Sequence, residues 1–376
     1  MRSYDSLLAV GSLIGTIIGA GVFGIPYVVA KSGVLSSLFY FLILGFLVLF
    51  LHLFFGEIVL RTKKEHRLIG YAQHYLGEKV KILVTISVIL GTVGALLAYI
   101  ILGGEFLKII FPYPFSSLQF SLILWAILSL FVFLGMKSIA PFELLMNIGL
   151  FGAFLLIFIF SFPKIESSNF VFFNKEYLFL PFGIFLFSLI GWNAVPEIEK
   201  ILIKKENLKK VIFYSLIIST IFYFLFGLII SGVTGPQTTG EPFTGLLPFL
   251  GKKIIVLGGI FGLLAVSTSF LILANYLKNT FLLDYHLPYF PSFFLASFLP
   301  LGLFLAGIRE FIAVIAFVGT FVGLIEGVII ALIYKKAKKI GERIPEYSLK
   351  IPNFLIYLTI LILILGTLSQ IIYYFS

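Results

Sequence analysis

Apolar residues in this chain come in near-continuous blocks of about 20, with none of the alternation that marks a half-buried helix or strand. Short polar stretches rich in Lys, Gly and Pro separate the blocks. This pattern predicts eleven membrane helices, at roughly 6–30, 34–60, 80–107, 118–136, 139–163, 177–198, 211–233, 253–280, 289–307, 311–334 and 351–375. With 60% hydrophobic and 12% charged residues among 376, the chain is too apolar for a soluble fold. The expectation is an all-α polytopic membrane protein, one domain over 1–376, with no room for a soluble appendage. The first block is too long for a signal peptide, carries a Gly/Pro break and lacks a small-residue cleavage site.

The first block breaks its own pattern. Residues Gly15–Pro26 read G-T-I-I-G-A-G-V-F-G-I-P. Glycine and proline weaken helices, and hydrocarbon offers no water to an opened backbone. Such a break persists only where it is buried in protein or lines a cavity. The spacing predicts an inner half-helix ending near Ile17 and Ile18, and an outer one beginning near Val22. Packing through small residues accounts for Gly15 and Gly19, but not for Pro26. Gly19–Gly24 also matches G-x-G-x-x-G. A dinucleotide site needs a preceding strand and an acidic residue about 20 positions on; here a membrane helix precedes it and the next acid is Glu57.

Span 6 repeats the break: Phe187–Glu197 reads F-S-L-I-G-W-N-A-V-P-E, and Gly-x4-Pro recurs from Gly21–Pro26 to Gly191–Pro196. The two segments head two blocks of five spans. Five is odd, so the second block enters the membrane from the opposite side. The expected organisation is an inverted repeat, about 6–163 and 177–334, plus an extra helix at 351–375. Paired Gly/Pro-interrupted segments at corresponding positions point to a transporter's binding site.

The net charge of +10 raises nucleic acid as a partner, but its distribution gives a topology instead. With the N-terminus cytoplasmic, 20 of the 27 Lys/Arg fall inside: Arg2, Arg61–Lys81, Lys137, Lys200–Lys210, Lys278 and Lys335–Lys350. That is the positive-inside bias, with contact to anionic lipid as a further consequence. The C-terminus is then extracytoplasmic, in the inner or plasma membrane. There is no Cys, and His52, His66, His74 and His286 form no metal spacing. Leu68–Lys79 predicts a surface helix. The external loop Gly235–Gly251 reads as a lid or a plain connector.

An opened first helix offers unpaired N–H groups and a partial positive charge at the start of its outer half, which suit a carboxylate. Free carbonyls near Ile17 and Ile18, and near Ser188–Gly191, suit an ammonium group or a small cation. This donor–acceptor pair fits an amino acid. The candidate substrate contacts are Ile18, Gly19, Ala20, Gly21 and Val22 of span 1 with Phe187, Ser188 and Gly191 of span 6. Tyr99 and Trp192 shape the side-chain pocket.

The stretches Gly15–Tyr27 and Phe187–Lys200 resemble the first and sixth helices of the amino acid/auxin permease and aromatic amino acid permease families, in the amino acid–polyamine–organocation superfamily. With the eleven-span layout, the resemblance covers effectively the whole chain. It implies a LeuT-like fold, 5+5 inverted repeats with helices 1 and 6 broken, and amino acid transport by alternating access. One departure stands out: aromatic-type permeases tend to have His-Glu-Ala-Ile-Pro where this chain has Trp192-Asn193-Ala194-Val195-Pro196. That argues against an aromatic substrate.

In span 8, Ala265, Thr268 and Ser269 share one helical face. With carbonyls of Gly15 and Ile18 they would complete an oxygen cage for Na⁺, a spacing similar to the sodium site of sodium-coupled members of the fold. The plainer explanation is hydroxyls bonding back to their own helix. A rival, proton coupling, has Glu326 deep in span 10 and His52 in span 2 as candidates. The central parts of spans 1, 3, 6 and 8 carry no charge, so a neutral, apolar amino acid is expected. The expected function is an importer of a neutral amino acid coupled to Na⁺, needing no cofactor. H⁺ coupling or exchange is the alternative, and a non-transporting amino acid sensor on the same fold is another. An integral membrane enzyme has no interior nucleophile–base pair or acidic metal cluster to stand on.

Overall fold

The computed structural model describes residues 4–135 and 140–375. Arg2, Lys137 and position 139 at the start of the fifth segment lie outside the described residues. Among these residues the chain is helical throughout its regular structure, without strands. Each of the eleven predicted segments coincides with a helix or a helix pair. The first is split into α1 (Tyr4–Ile17) and α2 (Gly21–Ser32), bent by 59°. Then follow α3 (Val34–Arg61), a short α4 (Leu68–Leu76), α5 (Glu78–Ile110), α6 (Ser117–Leu134) and α7 (Ala140–Ser161). Span 6 is split into α8 (Pro181–Leu189) and α9 (Val195–Ile201). The remainder is α10 (Leu208–Thr234), α11 (Pro242–Leu250), α12 (Lys252–Asn279), α13 (Tyr289–Leu305), α14 (Phe311–Ile340) and α15 (Asn353–Phe375). Eight of the described helical segments are long and apolar enough to cross a membrane, and the bent first pair makes a ninth.

The outside of the bundle carries its own apolar ridges. Leu35, Phe39, Leu42 and Phe46 are exposed along one face of α3, and Ile217 and Ile221 along α10. In a soluble protein such faces would be polar; here hydrocarbon is the solvent. Hydroxyls inside the helices bond back to their own carbonyls, as Thr92 does to Val88, Thr220 to Leu216 and Thr320 to Ala316. These three hydroxyls are thereby satisfied without a partner helix.

α5 packs on α6, α12 and α14, and α14 also packs on α8. The α8–α14 contact is backbone against backbone: a Cβ added at Gly319 would sit 1.8 Å from the Gly183 carbonyl oxygen. This approach holds α14 against the broken sixth span. A helix forms where the surface helix is expected: α4, with Tyr71 and Tyr75 buried against its neighbours and Gln73 and His74 exposed. The loop 235–251 is more than a connector, since α11 drives Phe243 fully into the core.

Candidate functional site

The two breaks meet at the centre of the bundle. α1 ends at Ile17 and α2 begins at Gly21, one residue earlier than the spacing predicts. Across the gap Gly19 N–H bonds the Ile17 carbonyl at 2.9 Å, and Val22 N–H bonds the Gly19 carbonyl at 3.2 Å. Ala20 and Gly21 have no backbone partner for their N–H groups. In span 6, α8 stops at Leu189, and Trp192–Ala194 form a tight turn before α9 starts with Pro196 in its first turn. Gly21 lies directly against Ser188: a Cβ there would fall 2.4 Å from Ser188 Oγ and 2.8 Å from its Cα. Only glycine lets the broken helices touch.

Tyr223 of α10 joins them. Its hydroxyl lies 2.6 Å from the Ile17 carbonyl oxygen and 3.0 Å from that of Ser188, so one proton is shared across both helix ends. The sequence reading missed this residue. Its signal was a stripe four apart, Ser215, Ser219 and Tyr223, along one face of α10. Ser215 on the same stripe donates to the Val10 carbonyl of α1. Asp5 accepts from Ile203 N–H at 3.0 Å, tying the start of α1 to the segment after α9.

A cavity of about 870 Å³ runs from the breaks to the end of the bundle that carries the N-terminus. Gly19, Ala20, Gly21, Tyr99, Phe187, Ser188, Gly191 and Glu326 all line it. Ile18, Val22 and Trp192 are buried beside it and are not part of the lining. Towards its mouth the wall passes to Arg67, Gly135, Glu197, Lys278 and Tyr289. Arg67 lies over the Tyr276 ring at 4.6 Å. The buried Lys278 ammonium donates to the Val132 carbonyl at 2.8 Å, one of the last in α6. The opposite end is closed by rings: Phe23 of α2 stands 4.9 Å from Phe106 and 5.7 Å from Phe243.

The cavity is not free of ionisable groups. Glu326, two per cent exposed, reaches it from α14 and accepts a hydrogen bond from Trp192 Nε1 at 2.7 Å. His52 lies behind Trp192, with ring centroids 5.6 Å apart. It donates from Nδ1 to the Val48 carbonyl at 2.8 Å, and its Nε2 has no partner. The proposed sodium ligands are not gathered. Thr268 donates to the Leu264 and Ala265 carbonyls of its own helix. Ser269 lies beside the Tyr99 hydroxyl. Gly15 and Ile18 sit on the α1 side, and α1 packs chiefly on α10 and α9.

The chain as a whole has similar proteins among those known. The family model described as the tryptophan/tyrosine permease family matches residues 4–370. Tyrosine-specific transport system 1 of Haemophilus influenzae is 26% identical over 191 residues, 50% of this chain and 48% of that protein. The matched stretch therefore spans about half the length of that relative. The crystal structure of MhsT in complex with L-phenylalanine superposes with a TM-score of 0.71 at 17% identity, covering 99% of this chain and 97% of that one. The likeness carries the fold, and the fold is the LeuT-like one that the family resemblance implies. Family and fold are those of transporters rather than enzymes. With a family match running nearly end to end, this multi-pass membrane protein belongs to the tryptophan/tyrosine permease family.

Proposed function

We propose that this chain carries a neutral, apolar amino acid across the cell membrane by alternating access. The observation behind this reading is the meeting of two broken helices at one cavity, with unpaired N–H groups at Ala20 and Gly21 on its wall. Those donors and the α2 N-terminus suit the substrate carboxylate. The carbonyl end of α8 at Ser188–Gly191 suits its ammonium. Ile18, Val22 and Trp192 act from behind the wall, and Tyr99 and Phe187 face the side chain. The tyrosine carrier among its relatives supports an amino acid as substrate. With the basic end cytoplasmic, by the positive-inside rule, the structure is an inward-open state sealed outside by Phe23, Phe106 and Phe243. Two inverted repeats, about 6–163 and 177–334, would rock against each other, with 351–375 outside them.

For the coupling ion, Na⁺ is the first reading. Ala265, Thr268 and Ser269 face one way on α12, and the cage with Gly15 and Ile18 would assemble when α1 swings towards α12. Opening of the inner side would then release the ion together with the substrate. A second reading, proton coupling, is favoured by the position of Glu326. It is a carboxyl on the cavity wall bonded to the span 6 break through Trp192, with His52 behind. Its proton would stabilise or release that contact.

Uptake into proteoliposomes tests both, with Na⁺ and H⁺ gradients imposed separately on a mixture of labelled neutral amino acids. Na⁺-driven uptake abolished by Thr268→Ala with Ser269→Ala supports the cage. Uptake driven only by H⁺ and lost in Glu326→Gln removes the cage and keeps the transporter. Binding without net flux under either gradient would sink the import reading and leave an exchanger or a sensor.

A further inference from the structure

Two cations meet at the end of α12. Lys278 is three per cent exposed, yet it lines the cavity near its mouth. Its ammonium has three N–H donors. One goes to the Val132 carbonyl at 2.8 Å and one to the Tyr289 hydroxyl at 3.3 Å, both neutral acceptors. Arg67 is exposed at the same mouth, with its guanidinium laid on the Tyr276 ring at 4.6 Å. Tyr276 stands on the last turns of α12, so stacking fixes the guanidinium beside Lys278's own helix end. A guanidinium stacked on a ring keeps its N–H edge for a planar anion. Among the described residues, neither cation lies within ion-pair distance of a carboxylate. The two carboxylates of the cavity wall are already engaged: Glu197 with Lys200 at 3.3 Å, and Glu326 with Trp192 Nε1 at 2.7 Å. The carbonyl end of α6 offsets part of the Lys278 charge. A buried ammonium without a counter-ion is otherwise costly, and an excess of one sign between low-dielectric walls gathers the opposite one.

We propose that Lys278 and Arg67 form a second binding site at the inner mouth, which takes the carboxylate of the amino acid after it leaves the breaks. This rests on the transport reading above. One cavity joins the two places, from Gly21 and Ser188 to Lys278 and Arg67. At the breaks the carboxylate meets backbone N–H groups; at the mouth it meets two full charges. The third ammonium donor and the guanidinium edge can both reach a carboxylate seated against the end of α12. Asn275 and Asn279 line the cavity on the same helical face as Lys278 and keep that seat polar. The mouth site stabilises a substrate on its way out, and it captures one that enters from the inside during exchange.

The reporter is a single cysteine, Asn275→Cys, one turn before Lys278 in a chain with no native Cys. The probes are isocaproate, which is leucine without its ammonium, and isocaproamide, which has the same shape without the charge. In purified protein, isocaproate should slow labelling by N-ethylmaleimide at least threefold, and isocaproamide should not. Arg67→Gln should lose that protection, and Arg67→Lys should keep part of it. Lys278→Gln should lose it too; if that variant does not fold, Arg67→Gln carries the measurement. In proteoliposomes, exchange of labelled neutral amino acids gives the half-saturating concentration on each side. Arg67→Gln should raise the ratio of the inner value to the outer one at least threefold. Equal protection by the acid and the amide overturns the site. So does equal protection by inorganic phosphate, or protection that survives in Arg67→Gln. Protection with an unchanged ratio assigns the site to some other carboxylate and overturns the substrate assignment. If no amino acid moves at all, the transport reading fails, and the labelling still judges the site.

Discussion

Tyr223→Phe removes one oxygen atom and leaves the ring in place, so no cavity forms. The lost hydroxyl lies 2.6 Å from the Ile17 carbonyl oxygen and 3.0 Å from that of Ser188, at a fully buried position. Ile17 keeps a second donor, the Gly19 N–H at 2.9 Å. Ser188 is left with a buried carbonyl at a helix end and no replacement. A neutral hydrogen bond contributes about 1 kcal/mol net, and an orphaned buried acceptor about 1–3. The expected destabilisation is therefore about 1–2 kcal/mol, a factor of roughly 5–30 in the folded ratio. Reversible unfolding in mixed micelles measures it, and substrate affinity should weaken in the same variant because the two breaks lose their tie. Ser188→Ala is the control. That hydroxyl bonds back to Ile184 at 2.7 Å within its own helix, so its loss should cost under about 0.5 kcal/mol. A Tyr223→Phe protein unchanged in stability and affinity, or a Ser188→Ala protein equally destabilised, would refute the bridge between the breaks.

Gly21→Ala should abolish substrate binding and cost about 1–3 kcal/mol, because its methyl would meet Ser188 at 2.4–2.8 Å; a binding isotherm like that of wild type would contradict the close contact. Phe243→Ala should unseal the end opposite the cavity mouth. The chain has no Cys, so a single Ala20→Cys reporter should react at least tenfold faster with an impermeant maleimide from that side, and an unchanged rate would remove Phe243 from the seal. Burial raises the Glu241 carboxyl above its ordinary 4.5 where it caps α11, accepting from Phe243 and Thr244 N–H. A raised carboxyl binds its proton more tightly in the folded state, so its stabilisation is present at acid pH and lost as pH climbs from 4.5 through the folded value. Glu241→Gln should flatten that decline in an unfolding series across pH, and an identical slope in both proteins would exclude Glu241 as its source.

Much of the architecture was written in local pattern. Blocks of apolar residues place the membrane helices because a bilayer demands about 20 such residues in a row. Gly and Pro within two of those blocks place the breaks because hydrocarbon tolerates an open backbone only inside protein. Gly21 and Ser188 were accordingly legible as candidates at the breaks before their contact was. Tertiary structure decided what depends on distant segments meeting. Tyr223 looked like any other aromatic until α10 laid it between Ile17 and Ser188. Glu326, on a span with no mark of the site, reaches the cavity because Gly319 and Gly183 bring α14 against α8. Trp192 lies next to Gly191 of the cavity wall, yet packing turns its indole away towards Glu326 and His52. The open end of the cavity was beyond the sequence as well. Only the packing of α2 and α11, which sets Phe23 against Phe243, shows which end of the cavity is closed.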